Sequence, residues 1–120
     1  MKIYLAGGMH TDWRQKVKDI APSHDFFDPT SHGLTNENDY TRWDVWAIKS
    51  SDAVIAYLED TNPAGHNLGF ECGLAIGRDI HLIFINENVK FDKYVGLIRS
   101  SASKYFTSFK EALQWIGENL

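Results

Sequence analysis

The stretch that most constrains this chain is residues 51–77, SDAVIAYLEDTNPAGHNLGFECGLAIG. Its opening, residues 53–58, is almost wholly apolar, as expected of a strand covered on both faces, and such strands belong to parallel sheets sandwiched between helices. Asp60, Thr61, Asn62, Pro63 and Gly65 break the strand, and Asn67 is placed to N-cap a helix that continues to Gly77. On that reading Glu71 falls in the helix's first turn. Ligands of open α/β sheets collect beyond the carboxyl ends of the strands, where such loops and helix starts meet, so Glu71 is predicted to lie beside one. The positive end of the helix favours ionised carboxylate there, the form a nucleophile needs.

Elsewhere strand and helix alternate. Residues 2–6 read as a first strand ending at Gly7-Gly8, and Trp13, Val17 and Ile20 follow at helical spacing behind a Thr11 cap. Residues 25–28 form a short second strand and 29–38 a polar loop, after which Tyr40, Trp43, Trp46, Ala47 and Ile48 mark a helix over 40–50. Beyond the Glu71 helix come a strand at 80–85, a helix from about residue 90 to 101 and a short strand at 105–106. The last helix opens with a capping box, Ser108 to Glu111, and turns Ala112, Leu113 and Ile116 inward. The pattern predicts one α/β domain over residues 1–120, a parallel sheet of about five strands with helices on both faces.

Charge and composition narrow the partners. A net charge of -4 without a basic cluster argues against a nucleic-acid polymer, whose phosphates need Lys and Arg gathered on one face. A small anion could still be held by backbone amides. The apolar runs are strand-sized and no long apolar leader precedes the first strand, so no membrane partner and a cytoplasmic location are expected. Cys72 is the one cysteine, which precludes an internal disulfide and fits a reducing compartment. His10, His24, His32, His66 and His81 show no metal-ligand spacing, so neither a metal nor a cofactor is expected.

An isolated helix carboxylate is usually solvated, but the setting of Glu71 is unusual. Gly65, Gly69, Gly73 and Gly77 recur every four residues, although each glycine inside a helix costs roughly 1 kcal/mol relative to alanine. Close approach of another backbone, from the sheet or from a second subunit, would offset that cost. Glu71 lies about 200° round the helix from that stripe and so faces a cleft or solvent. Asp44 has Arg42 and Lys49 at spacings that do not face it, and between Trp43 and Trp46 it is a candidate for a raised pKa and for proton donation. Tyr4 stands near the carboxyl end of the first strand, where its hydroxyl could bond a catalytic carboxylate, although a lone tyrosine is more commonly core. Gly7-Gly8 would let the chain approach a sugar or phosphate closely, and Trp13 and Trp43 could stack on a planar ring. Cys72 reads as a small buried side chain rather than a thiol nucleophile served by His66.

Together these residues resemble the nucleoside 2-deoxyribosyltransferase family and its relatives, the 2'-deoxynucleoside 5'-monophosphate N-glycosidases. The matching parts are IYLAGG at 3–8, Asp44 followed by Asp52 in DVWAIKSSDAVIA, NLGFECGLAIG at 67–77 and, more distantly, VGLIRSSA at 95–102. No piece is specific alone; their order and spacing over almost the whole chain are. The resemblance implies a flavodoxin-like fold with Glu71 as nucleophile, Tyr4 orienting it and Asp44 contacting the substrate and assisting protonation of the base. Gly7, Gly8, His10, Trp43, Gly65, Asn67 and Gly69 complete the predicted site. It also implies a homo-oligomer, a dimer or larger, whose sites are completed by a neighbouring subunit, with donors in residues 95–103.

Two departures bear on specificity. Gly65, six residues before Glu71, stands where the transferases often carry a base-reading aspartate and the monophosphate hydrolases a phosphate-binding serine. His10 and Val95 stand where the hydrolases hold phosphate with an arginine and a serine, leaving Arg14, Ser100 and Ser101 as substitutes. The expected activity is cleavage or transfer of the N-glycosidic bond of a nucleoside or nucleoside 5'-monophosphate through a covalent glycosyl-Glu71. The alternatives are a nicotinamide-dinucleotide glycohydrolase and a non-catalytic nucleotide-binding module. A receiver-like signalling domain with Asp60 as phosphoacceptor would require an acidic pair where Gly7-Gly8 stands.

Overall fold

The computed structural model describes residues 1–9, 11–62 and 65–120; His10, one of the predicted binding residues, lies outside them, as does Pro63 of the predicted loop. Five strands, β1 (Lys2–Gly7), β2 (Asp25–Phe27), β3 (Ala53–Leu58), β4 (His81–Asn86) and β5 (Lys104–Phe106), alternate with helices α1 (Trp13–Ile20), α2 (Glu37–Lys49), α3 (His66–Gly77), α4 (Gly96–Ser101) and α5 (Phe109–Asn119). The strands pair in the order β2-β1-β3-β4-β5, every pair parallel. This is the flavodoxin-like order, in which the chain reverses direction across the sheet between β1 and β3 and opens a crevice there. The predicted parallel sheet with helices on both faces is the one observed.

Strand alternation decides which face each side chain serves. Tyr4 and Ala6 of β1, Val54, Ala56 and Leu58 of β3 and Phe84 of β4 pack beneath α2 and α3. Their neighbours Ile3, Leu5, Ile55, Tyr57, Ile83 and Ile85 pack on the opposite face against α1 and α5. A fully buried side chain of this size contributes about 1.5–3 kcal/mol, so a one-residue slip that exchanged the two faces would be strongly opposed. The same alternation points the Tyr4 ring at α3.

Several local expectations are corrected. The N-cap of α3 is Gly65, with no side-chain capping bond, and the helix begins at His66, which puts Asn67 inside it and Glu71 in its second turn. Thr11 does not cap α1, whose N-cap is Asp12; its hydroxyl donates instead to the buried Glu59 carboxylate at 3.0 Å, a charged acceptor, rather than accepting from the free N–H groups of the exposed helix start. Helix α2 starts three residues earlier than the apolar pattern indicated, because Asn36 Oδ1 accepts from the amides of Asn38 and Asp39. The helix expected over 90–101 is broken into a 3₁₀ turn, Val89–Tyr94, and α4. Val95 is buried at the break, and Arg99 spans it by donating to the Asp92 carbonyl and carboxylate.

Only the first glycine of the stripe meets the sheet, a Cβ on Gly65 lying 3.5 Å from the Leu58 side chain. A methyl group built on Gly69, Gly73 or Gly77 would touch nothing within 4 Å. Gly7 is different: its φ is +150°, and a Cβ there would lie 2.6 Å from the Tyr57 carbonyl oxygen and 3.0 Å from the Trp13 ring. Among the described residues no helix is long and apolar enough to cross a membrane.

Gly7→Ala is therefore expected to destabilise the protein by at least about 2 kcal/mol. Urea denaturation measures it, and an unchanged midpoint would show that the β1 terminus relaxes freely.

Candidate active site

From the third residue of β1, the fully buried Tyr4 sends its hydroxyl to α3, where it donates to Glu71 Oε2 at 2.5 Å. Burial and the adjacent Glu71 carboxylate push the Tyr4 pKa far above its ordinary value, so the phenol remains a donor. Glu71 is half-buried in this crevice. Burial pushes its carboxyl up to about 7, opposed by the Tyr4 hydrogen bond and reinforced by the charge of Asp44. The expectation of a simply ionised carboxylate at a helix start is thus corrected: Glu71 sits a turn further along, where the dipole effect has faded, and desolvation dominates.

Asp44 reaches the same place from α2. Its pKa is raised, chiefly by burial, while His32 holds it down. It is not unpaired, as the helical spacing implied, because His32 Nε2 lies 3.5 Å from Asp44 Oδ1. Tyr4, His32, Asp44, Asn67, Phe70 and Glu71 all line one cavity of about 590 Å³, within the usual range for a small-molecule site. Gly7, Gly8, Asn62 and Asn67 share with Glu71 an adjoining recess of about 400 Å³.

Arg14 fixes the floor of this crevice. Its guanidinium donates to the carbonyls of Leu5 at 3.1 Å, Gly8 at 2.7 Å and Gly7 at 2.9 Å, and it lies 3.7 Å from Asp28. Arg14 is 4% exposed; three of its five N–H donors are committed to backbone carbonyls, and its side chain lines the same cavity as Tyr4, Asp44 and Glu71. The carbonyl of Gly8 also accepts from Trp13 Nε1. Gly7 and Gly8 therefore line the recess while serving first to let the chain pack against Tyr57 and Glu59.

The structure brings Tyr4, Gly7, Asp44, Asn67 and Glu71 together and separates other predicted residues from them. Gly65 and Gly69 line a different groove, an apolar one of about 500 Å³ with Phe84, Phe91, Tyr94 and Val95. Trp43 stands behind the site, its ring 4.8 Å from the His32 imidazole and 6.1 Å from Phe27. Trp13 is core, edge-on to Tyr57 and Phe109. Both tryptophans were expected to stack on a ligand; packing against their own neighbours claims them. Cys72 is buried as read, its thiol pushed up to about 12. His32 and Phe70 were missed. Phe70 could have been found as an aromatic beside Glu71 on the open side of α3, whereas nothing in a polar loop singles out His32.

Chemically, the crevice offers two carboxyl groups of elevated pKa, a fixed phenol donor and the open cavity beside them. Such a pair holds a proton near neutrality, so it can present an anion to a developing cation and a proton to a departing group. Among the described residues no group of three or more His, Cys, Asp or Glu side chains could hold a metal ion.

No protein-family model and no curated protein matches the chain. Solved structures do. A 2-deoxyribosyltransferase from the psychrotolerant bacterium Bacillus psychrosaccharolyticus is 17% identical, with 94% of this chain and 90% of that one covered and a TM-score of 0.76. A 2-desoxiribosyltransferase from Leishmania mexicana is 20% identical over 98% of this chain and 97% of its own, also with a TM-score of 0.76. The CMP N-glycosidase BcmB of Clostridium botulinum is 18% identical over the full length of both chains, with a TM-score of 0.68. The chain has the fold of these proteins, which include both branches of the resemblance read from its motifs.

The buried carboxyl has a consequence for stability. Between pH 4.5, the ordinary value, and about 7 the folded chain retains a Glu71 proton that the unfolded chain has released. Stability therefore falls as pH rises through that window. Above it the folded state bears the whole penalty, on the order of 3 kcal/mol for a shift of this size. Glu71→Gln is expected to be more stable than the parent at pH 8, with the difference shrinking toward pH 4.5. Urea midpoints across that range measure it, and a destabilised variant at pH 8 would contradict the assignment.

Proposed function

We propose that this protein cleaves or transfers the N-glycosidic bond of a nucleoside or nucleoside 5'-monophosphate, with Glu71 as nucleophile. The observation that carries this reading is the Tyr4–Glu71 hydrogen bond on a cavity that Asp44 also lines. The shared fold with 2-deoxyribosyltransferases and a CMP N-glycosidase supports it.

In this scheme Tyr4 holds Oε2 and leaves Oε1 of Glu71 to attack the anomeric carbon. The carbon–nitrogen bond breaks with its electron pair passing to the base, which takes a proton from Asp44. The sugar becomes cationic in the transition state, and that charge favours the ionised form of a carboxyl poised near pH 7 in the empty site. The product is a glycosyl ester of Glu71, as in retaining glycosidases. Water, or a second base, then attacks the same carbon and displaces the carboxylate, while Asp44 accepts the proton that the attacking group loses.

A panel of nucleosides, nucleoside monophosphates and a nicotinamide dinucleotide, assayed with and without an added base, tests the reading. Base released without an acceptor identifies a hydrolase, and exchange only with an acceptor a transferase. Nicotinamide release would redirect the assignment to the dinucleotide, and no release of any base would leave a binding module. Glu71→Ala is expected to lower kcat on the order of 10³-fold or more while the protein stays folded; retained turnover refutes the nucleophile.

Tyr4→Phe removes a hydrogen bond that holds the Glu71 pKa down. The acidic limb of the kcat/KM profile should accordingly move to higher pH, and a limb that stays or moves lower would show that Tyr4 does not act through Glu71.

A further inference from the structure

The loop between β2 and α2 contributes one side chain to the cavity that the proposed reaction does not use, His32, and its two ring nitrogens are in distinct environments. Nδ1 accepts the backbone N–H of Leu34 at 2.9 Å. A nitrogen that accepts carries no proton, so this bond assigns the imidazole hydrogen to Nε2. Nε2 faces Asp44 Oδ1 at 3.5 Å. That oxygen is buried and has no hydrogen bond of its own, which leaves the His32 N–H as the donor placed to serve it. The ring is held from the side by Trp43, 4.8 Å away and steeply inclined to it, and Trp43 in turn abuts Phe27. His32 is thus gripped by a backbone amide and an aromatic edge, with its single N–H directed at the carboxyl group.

This placement determines which oxygen of Asp44 can carry a proton. On Oδ1 the proton would confront the His32 N–H; the other neighbour of the Asp44 carboxyl, the Tyr4 hydroxyl, gives its hydrogen to Glu71 and so does not oppose a proton on Oδ2. We propose that His32 is a positioning residue for the glycosidic reaction, directing the Asp44 proton to Oδ2 for delivery to the departing base. The inference rests on the function proposed above and adds a group outside the resemblance. The 3.5 Å separation in the empty site is longer than a good hydrogen bond, and catalytic contacts of this kind tighten when substrate fills the cavity.

Leaving-group dependence tests the proposal. The bond in 2'-deoxyguanosine breaks well only if the base is protonated, whereas N7-methyl-2'-deoxyguanosine already carries a positive base that departs neutral. His32→Ala is expected to slow kcat for 2'-deoxyguanosine by about 10- to 100-fold and to leave the N7-methyl substrate within about two-fold of the parent. His32→Gln, which keeps an N–H donor at a similar reach, is expected to recover much of the loss. Equal slowing of both substrates by His32→Ala, or no slowing of either, overturns the His32 assignment while leaving Glu71 and Asp44 intact. Failure of the unsubstituted protein to cleave either substrate or any member of the panel overturns the glycosidic reading itself. ¹⁵N NMR of the histidine ring supplies a readout independent of turnover: a neutral ring with its proton on Nε2 is expected, and a proton on Nδ1 overturns the proposal.

Discussion

The hydrogen bond between Tyr4 and Glu71 joins the second strand of the sheet to the helix that follows the third, and the candidate site takes its shape from that junction. Its two residues lie 67 positions apart, so it exists only when β1 and β3 pair in register and α3 packs on the Tyr4 face. Tyr4 pairs directly with Val54, and both belong to the core beneath α3. The phenol is therefore held by the same packing that stabilises the fold. A carboxylate presented by a rigid helix and clamped by a rigid strand is pre-organised in the way that catalysis by fixed charges requires.

Burial sets the character of the site. Removing Glu71 and Asp44 from water raises both pKa values, to about 7 at Glu71, which makes an anion costly at either carboxyl. The surrounding polar groups act against further disorder. Arg14 ties down the carbonyls of Leu5, Gly7 and Gly8, and Asp28, whose own pKa is lowered by its bonds to Lys18 and Thr30 despite burial, accompanies that guanidinium. The loop at the head of β1 is thus braced from beneath by a buried cation and closed from above by glycines that admit the Tyr57 carbonyl and the Glu59 carboxylate.

Where the residues read from the sequence failed to join the site, buried partners had claimed them. Trp13 turned to Tyr57 and Phe109 and Trp43 to His32 and Phe27, and likewise Thr11, read as the cap of α1, turned to Glu59. Each had been assigned from its type and its distance along the chain to a motif. An unsatisfied buried acceptor or an aromatic face nearby in space is a stronger pull than solvent or an exposed helix end. The glycines of α3 divide in the same way: Gly65 and Gly69 share the helix with Glu71 but open onto the apolar groove on its other side, because a helix face turns by 100° per residue.

The sequence by itself determined the order of strands and helices, the parallel character of the sheet and the nomination of Tyr4, Asp44 and Glu71. The elements and the parallel sheet are properties of local periodicity, two residues for a strand, 3.6 for a helix, and a run apolar on both faces for a buried β3; the roles of the three residues came from the resemblance of their motifs. The Tyr4–Glu71 bond is the one the motif resemblance implied; tertiary structure alone decided that His32 stands against Asp44 and that burial raises the pKa of both carboxyl groups. Contact across the sheet and exclusion of water are collective results of packing, and no window of sequence contains the neighbours that produce them.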